Sequence, residues 1–215
     1  MIDKEPINTF LPDSFYLEED VLKVAKALLG KILVTDFNGQ KTAGLIVETE
    51  AYRGSDDKAS HAFPMKNTNR TKIMFSEGGH SYVYLCYGLH HLFNVVTGPL
   101  GTPNAVLIRA IEPLCGIDEM LKRRKLLKVS SKICSGPACL TQALGIDKQW
   151  NGFKLTSGHS VWIEDGPRTI PNLEIGKTTR VGVAYAGEDA KLPWRFFLIK
   201  NAWVSSYPKT EFISL

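Results

Sequence analysis

The dipeptide Asn38-Gly39 lies between two apolar segments, KILVTDF before it and TAGLIVETEAY after it. Asn-Gly is the strongest short signal for a tight hairpin, because both residues tolerate the positive φ angles that the turn requires. We therefore predict two antiparallel strands, at 31–37 and at about Thr42 to Tyr52. An antiparallel pair at this point commits the chain to a sheet built from hairpins.

The segments on either side extend this pattern. Apolar residues recur at helical spacing from Leu17 to Leu29, and Gly30 stands where a C-cap glycine belongs. Residues 53–80 are polar and rich in Gly, Asn and Thr, which is typical of a long functional loop. We further predict strands at 81–88 and 91–98, joined around Gly88, a strand at 104–111, a helix with a basic face at 116–128, a short helix at 135–146 with Pro137 in its first turn, and strands alternating with turns in 161–165, 178–187 and 194–203. No repeat or linker divides the 215 residues, so we expect one mixed α+β domain over 1–215.

Composition excludes several classes of protein. With 44% hydrophobic and 22% charged residues, the chain has an ordinary globular composition. It contains no run of about 18 apolar residues and no signal-peptide pattern at its N-terminus, so we expect no membrane partner and no secretion. The four cysteines favour a reducing compartment, and no second Cys or His pair completes a zinc site, so we expect neither metal nor cofactor. The net charge of +4 is compatible with a polyanion but does not demonstrate one.

Two glutamates alternate along the second predicted strand. Glu48 and Glu50 point to the same face, and Tyr52 continues it. A solvated sheet face is the commoner explanation of Glu-x-Glu. Here, however, the strand ends directly at the polar loop, where sites usually lie, so a general base is the alternative that we keep.

A group of tyrosines precedes Gly88. Tyr82 and Tyr84 share a face of their strand, either as a packed aromatic ladder or as stacking surfaces for a flat ligand. Tyr87 lies at the hairpin tip, where side chains point outward, and an exposed aromatic wedge is what a protein that intercalates into DNA needs. In the loop, His61 is a candidate ligand contact, although most loop histidines are surface residues.

Two polar residues interrupt apolar strands. Arg109 lies within VLIRAIEP, and a buried charge is costly unless it is paired, so Arg109 predicts a carboxylate partner, with Glu50 as the natural candidate. Asn94 lies within LFNVV and is either a pocket residue or a core amide bonded to backbone. Together, a base, stacking faces and a cation suggest a site that takes a nucleobase out of a duplex and cuts it off its sugar.

These residues occur within a series of motifs that resembles the 3-methyladenine (alkyladenine) DNA glycosylases, monofunctional enzymes of base excision repair. The resemblance runs from about residue 17 to residue 203. It rests on VETEAY, DDKASHAF, NTNRTKIMF, YVYLCYG, the Asn of FNVVTG, LIRAIEP, SGPACL and RVGVAYAGE, in that order. It implies one domain with a curved, mainly antiparallel sheet, surrounding helices and a protruding β-hairpin.

The resemblance also implies catalytic roles. Glu50 is expected to activate a water molecule, and Arg109 to hold that water and the glutamate. Tyr52 and Tyr84 are expected to stack on the flipped base, and His61 to contact its edge.

For the remaining positions the resemblance implies contacts with the base and the DNA. Asn94 is expected to disfavour guanine through its exocyclic amine, and Tyr87 to enter the gap left in the DNA. Arg180 is expected to line the wall of the site, and Arg70 to reach the DNA.

The implied reaction is hydrolysis of the N-glycosidic bond of an alkylated or deaminated purine, of the 3-methyladenine, hypoxanthine and ethenoadenine class. The expected partner is double-stranded DNA that contains a damaged purine, the expected state is a monomer, and the expected location is the bacterial cytoplasm and nucleoid, or the nucleus of a eukaryote. Two alternatives remain at this point: a non-catalytic module that binds damaged nucleic acid, and a hydrolase of free nucleosides. Glu50 argues against the first and the Tyr87 tip against the second.

Overall fold

The long strand at residues 40–52 is the spine of the fold. In a computed structural model, which describes residues 10–206 and 213–214, β1 (Ile32–Phe37) and β2 (Gln40–Tyr52) form the predicted hairpin. Asn38 and Gly39 have φ angles of 57° and 77°, the positive values that a tight hairpin turn requires. The first half of β2 pairs with β1, the second half pairs with β8 (Arg195–Leu198), and β5 (Asn104–Cys115) runs along the other edge of β2.

A mainly antiparallel sheet grows outward from this spine. Its order is β3-β4-β5-β2-β8-β7-β9, while β1 joins β2 to β6. The bounds of the remaining strands are β3 Ser81–Cys86, β4 His90–Thr97, β5 Asn104–Cys115, β6 Val161–Glu164, β7 Ile175–Thr178, β8 Arg195–Leu198 and β9 Ile213–Ser214. The predicted single α+β domain with a mainly antiparallel sheet is confirmed.

The helices are shorter than predicted. They are α1 (Asp13–Tyr16), α2 (Val21–Ala27), α3 (Ile117–Arg124) and α4 (Pro137–Leu144). The prediction of one helix over 17–29 was wrong at its start, because the Asp20 side chain accepts a hydrogen bond from the N–H of Leu22 and caps α2 there. The helix predicted over 116–128 ends at Arg124, because Lys125 adopts the left-handed conformation.

Residues 180–187 do not form the type of element that the sequence predicted. A strand was predicted within 178–187, but β7 ends at Thr178 and the chain then enters a loop and a 3₁₀ helix at Ala184–Lys191. The guanidinium of Arg180 is tied to the Ala51 carbonyl, the Asp189 carbonyl and the Asp57 carboxylate. These long-range bonds fold the segment over the end of β2 instead of along the sheet.

Strand β5 separates the core from a cavity. Val106, Ile108 and Ala110 pack in the main hydrophobic cluster, which also contains buried residues of α2, α3 and α4. Leu107 and Arg109, on the alternate face, line the cavity instead. The helices therefore support the sheet from one side and leave its other side free to build a site.

Hairpin β3–β4 protrudes from the sheet. Tyr87 is 91% exposed and Leu89 76% exposed at its tip. The φ angles of 49° at Tyr87 and 71° at Gly88 form a tight turn, which a hydrogen bond from the Leu89 N–H to the Cys86 carbonyl closes. The protruding hairpin is thus confirmed.

The termini and the cysteines complete the description. Residues 1–9, in which we saw no signal-peptide pattern, and residues 207–212 and 215 lie outside the described part of the chain. Within that part, none of the helices is both long enough and apolar enough to cross a membrane. All four cysteines are free thiols.

Candidate active site

A cavity of about 780 Å³ opens beside the β3–β4 hairpin. Six segments that are distant in sequence meet there: the end of β2, the 53–80 loop, the hairpin, β5, the start of α4 and the segment after Arg180. The lining residues are Tyr52, Ala59, Ser60, His61, Arg70, Met74, Tyr82, Tyr84, Leu85, Cys86, Tyr87, Leu92, Asn94, Ala105, Leu107, Arg109, Pro137, Val181, Gly182, Val183 and Tyr185. The structure therefore brings seven of the nine predicted site residues to one cavity, the exceptions being Glu50 and Arg180.

Glu50 is fully buried just behind the cavity wall. Its Oε1 accepts a hydrogen bond from the N–H of Val181 at 2.7 Å and lies 3.1 Å from Nη1 of Arg109. Its Oε2 accepts a bond of 2.6 Å from the Tyr52 hydroxyl. All three partners, Val181, Arg109 and Tyr52, line the cavity, so the carboxylate is held in one orientation at the cavity floor.

Arg109 reaches this point because of a β-bulge. In the pairing of β2 with β5, Glu48 faces Ala110 and Thr49 faces Ile108, so Arg109 is the extra residue on β5. A bulge re-aims a side chain, and here the guanidinium lies between two carboxylates. Its Nε donates to Glu48 Oε1 at 2.8 Å, and its Nη1 meets Glu50.

The pairing predicted for Arg109 is therefore present, with Glu48 as an additional partner. Burial alone would lower the pKa of the Arg109 guanidinium, but the charges of Glu50 and Glu48 outweigh burial and raise that pKa above its usual value. Arg109 thus keeps its positive charge beneath the cavity.

Arg180 does not lie where the sequence placed it. The expectation that it lines the wall or contacts DNA was wrong, because its side chain is completely buried. Its guanidinium lies 4.8 Å from the centre of the Tyr52 ring and donates to Asp57 Oδ1 at 2.9 Å. Arg180 therefore supports the Tyr52 ring from behind the wall.

The opposite wall is a group of rings around His61. The imidazole packs edge-on against Tyr84 at 4.6 Å between ring centres, and its Nδ1 lies 2.9 Å from the Tyr82 hydroxyl. The Arg70 guanidinium stacks 4.8 Å from the centre of the Tyr84 ring and places Nη2 3.3 Å from Nε2 of His61. Arg70 itself is exposed at the rim, where it remains available to a phosphate.

Burial, and secondarily the Arg70 charge, lowers the pKa of His61 from 6.5 to about 4. The ring is therefore neutral at pH 7. Since Arg70 donates to Nε2, the tautomer consistent with this geometry carries its proton on Nδ1 and donates it to the Tyr82 hydroxyl.

Asn94 lies on the cavity surface and is only 4% exposed. Its amide nitrogen donates to the Tyr82 carbonyl at 3.0 Å, which fixes the plane of the amide. No bond to its Oδ1 is formed within the described part of the chain, so that oxygen is available to a ligand. Both readings made from the sequence, a backbone-bonded amide and a pocket residue, hold for this side chain.

Several residues of the site were missed by sequence reasoning. Tyr185 lines the cavity, is 69% exposed, and donates its hydroxyl to the Ala59 carbonyl at 3.1 Å. Pro137 brings the start of α4 to the cavity. The motifs AYAG and SGPA contained these residues, but no spacing rule places either motif beside β2. Asp57 and Arg195, which hold buried arginine and glutamate side chains of the site, were missed for the same reason.

The arrangement fits an enzyme that acts on a planar ring. Aromatic side chains line the cavity, a buried carboxylate and guanidinium lie at its floor, and an exposed tyrosine lies at the tip of the protruding hairpin. These features are compatible with a pocket for a base that has left the duplex.

Comparison with known proteins places the chain in a family. The family model for methylpurine-DNA glycosylase matches residues 14–202. A protein of Chlamydia felis, provisionally named 3-methyladenine DNA glycosylase, is 48% identical over 87% of this chain and 95% of its own length. Proteins of Chlamydia abortus and Bacillus cereus with the same name are 47% and 44% identical, over 89% and 90% of this chain and 100% and 98% of their own lengths.

The chain belongs to the methylpurine-DNA glycosylase family. It is accordingly a DNA repair enzyme, a hydrolase that acts on N-glycosyl bonds, and its partner is damaged DNA. The expected family is thereby confirmed, and the alternative of a non-catalytic binding module is set aside.

Proposed function

We propose that the protein flips alkylated or deaminated purines out of double-stranded DNA and hydrolyses their N-glycosidic bond with a water molecule that Glu50 activates. The observation that carries this proposal is the buried Glu50 carboxylate, held by two hydrogen bonds and an ion pair from residues that all line the cavity. The names of the relatives, 3-methyladenine DNA glycosylases, support this lesion class.

The hydrogen bonds to Glu50 leave a defined place for water. A carboxylate offers about four acceptor positions. Oε1 accepts from the N–H of Val181 and forms the ion pair with Arg109, whereas within the described part of the chain Oε2 accepts only from Tyr52. A water molecule that donates to the second position of Oε2 would lie beside the Tyr52 ring, with the Arg109 guanidinium near its oxygen.

Cleavage of the bond creates positive charge on the sugar, as in other glycosyl transfers. Glu50 stabilises that charge and takes the proton of the attacking water, so that water adds to C1′ and the base leaves with the bonding electrons. A base methylated at a ring nitrogen already carries positive charge and leaves readily. A neutral lesion must gain a proton or a hydrogen bond as it leaves.

The residues of the cavity walls would bind the flipped base and select among different bases. We propose that the base stacks between Tyr52 on one side and the His61 and Tyr84 rings on the other. A neutral His61 suits this place, because a cationic ring would repel a base that is already positively charged. Asn94 would meet the edge of the base, and its fixed amide disfavours a purine that carries an exocyclic amine there.

The hairpin tip fits the DNA side of the reaction. Tyr87 would fill the gap that the flipped nucleotide leaves, and Arg70 would contact a phosphate at the rim. We further propose that the protein acts as a monomer on the chromosome, in the cytoplasm of a bacterium or the nucleus of a eukaryote.

The test is single-turnover base release from duplexes that carry 3-methyladenine, hypoxanthine or ethenoadenine. Glu50→Gln keeps the side-chain shape but cannot accept the proton of water, so we expect release to fall by about 10²- to 10⁴-fold while binding to lesion DNA survives. The matched control is Glu119→Gln, which removes the carboxylate partner of Arg123 on α3, outside the set of residues that line the cavity. Substantial release by the Glu50 variant would move the role of base elsewhere, first to Glu48.

A further inference from the structure

Glu48 lies beneath the site at the centre of a buried charge network. It is fully buried, and its Oε1 accepts from two arginines, Arg109 Nε at 2.8 Å and Arg195 Nε at 2.6 Å. Its Oε2 accepts from the N–H of Ser205 at 2.6 Å. Glu48 does not line the cavity, so the reaction described above gives it no task.

The same network fixes the Arg109 guanidinium at all three nitrogens. Nε is held by Glu48, Nη2 donates to the Ser205 hydroxyl at 3.3 Å, and Nη1 is left for Glu50 at 3.1 Å. The guanidinium is planar and its donors form a rigid fork, so setting Nε and Nη2 also sets the direction of Nη1. The β-bulge brings the Arg109 side chain to the glutamates, and Glu48 sets the direction in which its guanidinium points.

Arg195 balances the charges. It lies on β8 directly opposite Glu50, yet its Nε donates to Glu48, and its Nη2 donates to the carbonyls of Ser205 and Ser206. Two carboxylates and two guanidiniums therefore share one buried cluster. Without Arg195, Arg109 would be the only cation available to both glutamates, and its attraction would be divided unevenly between them.

We infer that Glu48, held by Arg195 and by the backbone of Ser205, is a positioning residue that orients Arg109 toward the Glu50 carboxylate. It touches neither the substrate nor the water and acts only through Arg109. This inference rests on the proposed function, because it gives Arg109 and Glu50 their task in base release.

A buried ion cluster can also serve stability alone, since breaking one is strongly destabilising. The two roles differ in coupling. A residue that acts through Arg109 loses its effect on the rate once Arg109 can no longer bridge the two glutamates, whereas a residue that only stabilises the fold lowers the folded fraction by a similar factor in either background.

The experiment is a double-mutant cycle on the full-length chain, with single-turnover excision of hypoxanthine and, separately, fluorescence of ethenoadenine flipping. Glu48→Gln should lower the excision rate by about 10- to 100-fold and leave the flipping equilibrium within about twofold, because misplacement of a supporting group acts on chemistry. In the Arg109→Lys background, which keeps the charge but loses the fork, the same substitution should cost less than about threefold. Glu119→Gln again serves as the matched control and should leave the rate of each background unchanged.

Equal losses in the two backgrounds, a wild-type rate in Glu48→Gln, or loss of flipping in parallel with the rate would each overturn the inference. If Glu48→Gln does not fold, the variant Arg195→Lys tests the inference instead. Lysine keeps the positive charge but lacks the guanidinium that bonds both Glu48 and the Ser205 carbonyl. The variant should slow excision at least about fivefold with flipping intact, and a wild-type rate there overturns the inference as well.

Failure of the proposed function would look different. Wild-type protein that releases no base, or Glu50→Gln that releases it normally, would remove the mechanism itself. An active wild type, an inactive Glu50→Gln and a fully active Glu48→Gln would remove only the positioning role.

Discussion

His61 has both ring nitrogens engaged, Nδ1 with the Tyr82 hydroxyl and Nε2 with the Arg70 guanidinium. Burial and the Arg70 charge lower its pKa to about 4, whereas an unfolded chain titrates near 6.5. Above pH 6.5 the ring is neutral in both states. As the pH falls from 6.5 toward 4, the unfolded state binds a proton that the folded state does not, so stability is lost across that window.

We therefore expect the folded protein to lose part of its stability between pH 7 and pH 4.5 through this one residue. His61→Gln removes the titrating group. The free energy of unfolding of wild type and of this variant is measured with urea at pH 7 and at pH 4.5. Between these two pH values wild type should lose about 2 kcal/mol more stability than the variant. A difference that does not change with pH would mean that the imidazole is protonated as easily in the folded protein as in the unfolded chain.

Asn94 supports a prediction about selectivity. Its Nδ2 is committed to the Tyr82 carbonyl, so the side chain is held in place and cannot move aside to make room for an exocyclic amine on the base edge. Asn94→Ser shortens the side chain and should raise the excision of guanine-type lesions relative to adenine-type lesions by roughly 10-fold, the scale of one lost unfavourable contact. Competing 7-methylguanine and 3-methyladenine in one alkylated duplex measures the ratio directly, and an unchanged ratio would assign selection to another wall.

Among the elements, hairpin β3–β4 carries the clearest expectation. If Tyr87 fills the gap in the DNA, Tyr87→Ala should weaken the extrahelical complex by about 1–3 kcal/mol, the scale of a lost stacking contact. The loss should be larger on a paired duplex than on a mismatched lesion, where unstacking is already partly done. Ethenoadenine fluorescence beside single-turnover excision separates flipping from chemistry.

Leu127→Ala is the matched control for this substitution, because Leu127 is as exposed as Tyr87 but belongs to the loop after α3. It should leave flipping unchanged. If Tyr87→Ala loses flipping equally on both substrates, or on neither, Tyr87 is only a structural turn residue, and Leu89 at the same tip becomes the next candidate wedge.

Individual strands and helices differ in how well the sequence predicts them. Both hairpins followed from local chemistry, since Asn38-Gly39 and Gly88 tolerate the positive φ angles that tight turns require. The segment after Arg180 did not, because its alternating apolar residues resemble a strand, whereas bonds to residues distant in sequence, such as Asp57 and Ala51, hold it in a loop. The start of α2 was set by a cap at Asp20 that an apolar pattern does not reveal.

For the whole molecule, the cavity is the feature that could not be predicted from the sequence. Motifs spread from β2 to the segment after Arg180 gave the residue types, and the resemblance to a family gave their expected roles. The bulge that turns Arg109 between Glu48 and Glu50 has no sequence signal, because one extra residue in a ladder is visible only when both strands are in register. For that reason the pairing of Glu48 with Arg109 was not predicted.

The residues that line the cavity also indicate which type of nucleophile to expect. None of the described residues that line the cavity is a lysine, so the described part of the site offers no amine to attack C1′ and form a Schiff base. We expect wild-type protein to leave an intact abasic strand, which breaks only after treatment with alkali, and to form no adduct that borohydride traps. We expect activity to persist in EDTA, because no group of three or more His, Cys, Asp or Glu side chains in the described chain is arranged to hold a metal ion. Strand scission without alkali or a trapped adduct would show that an amine replaces water, and inhibition by EDTA that zinc alone reverses would show that a metal ion assists it.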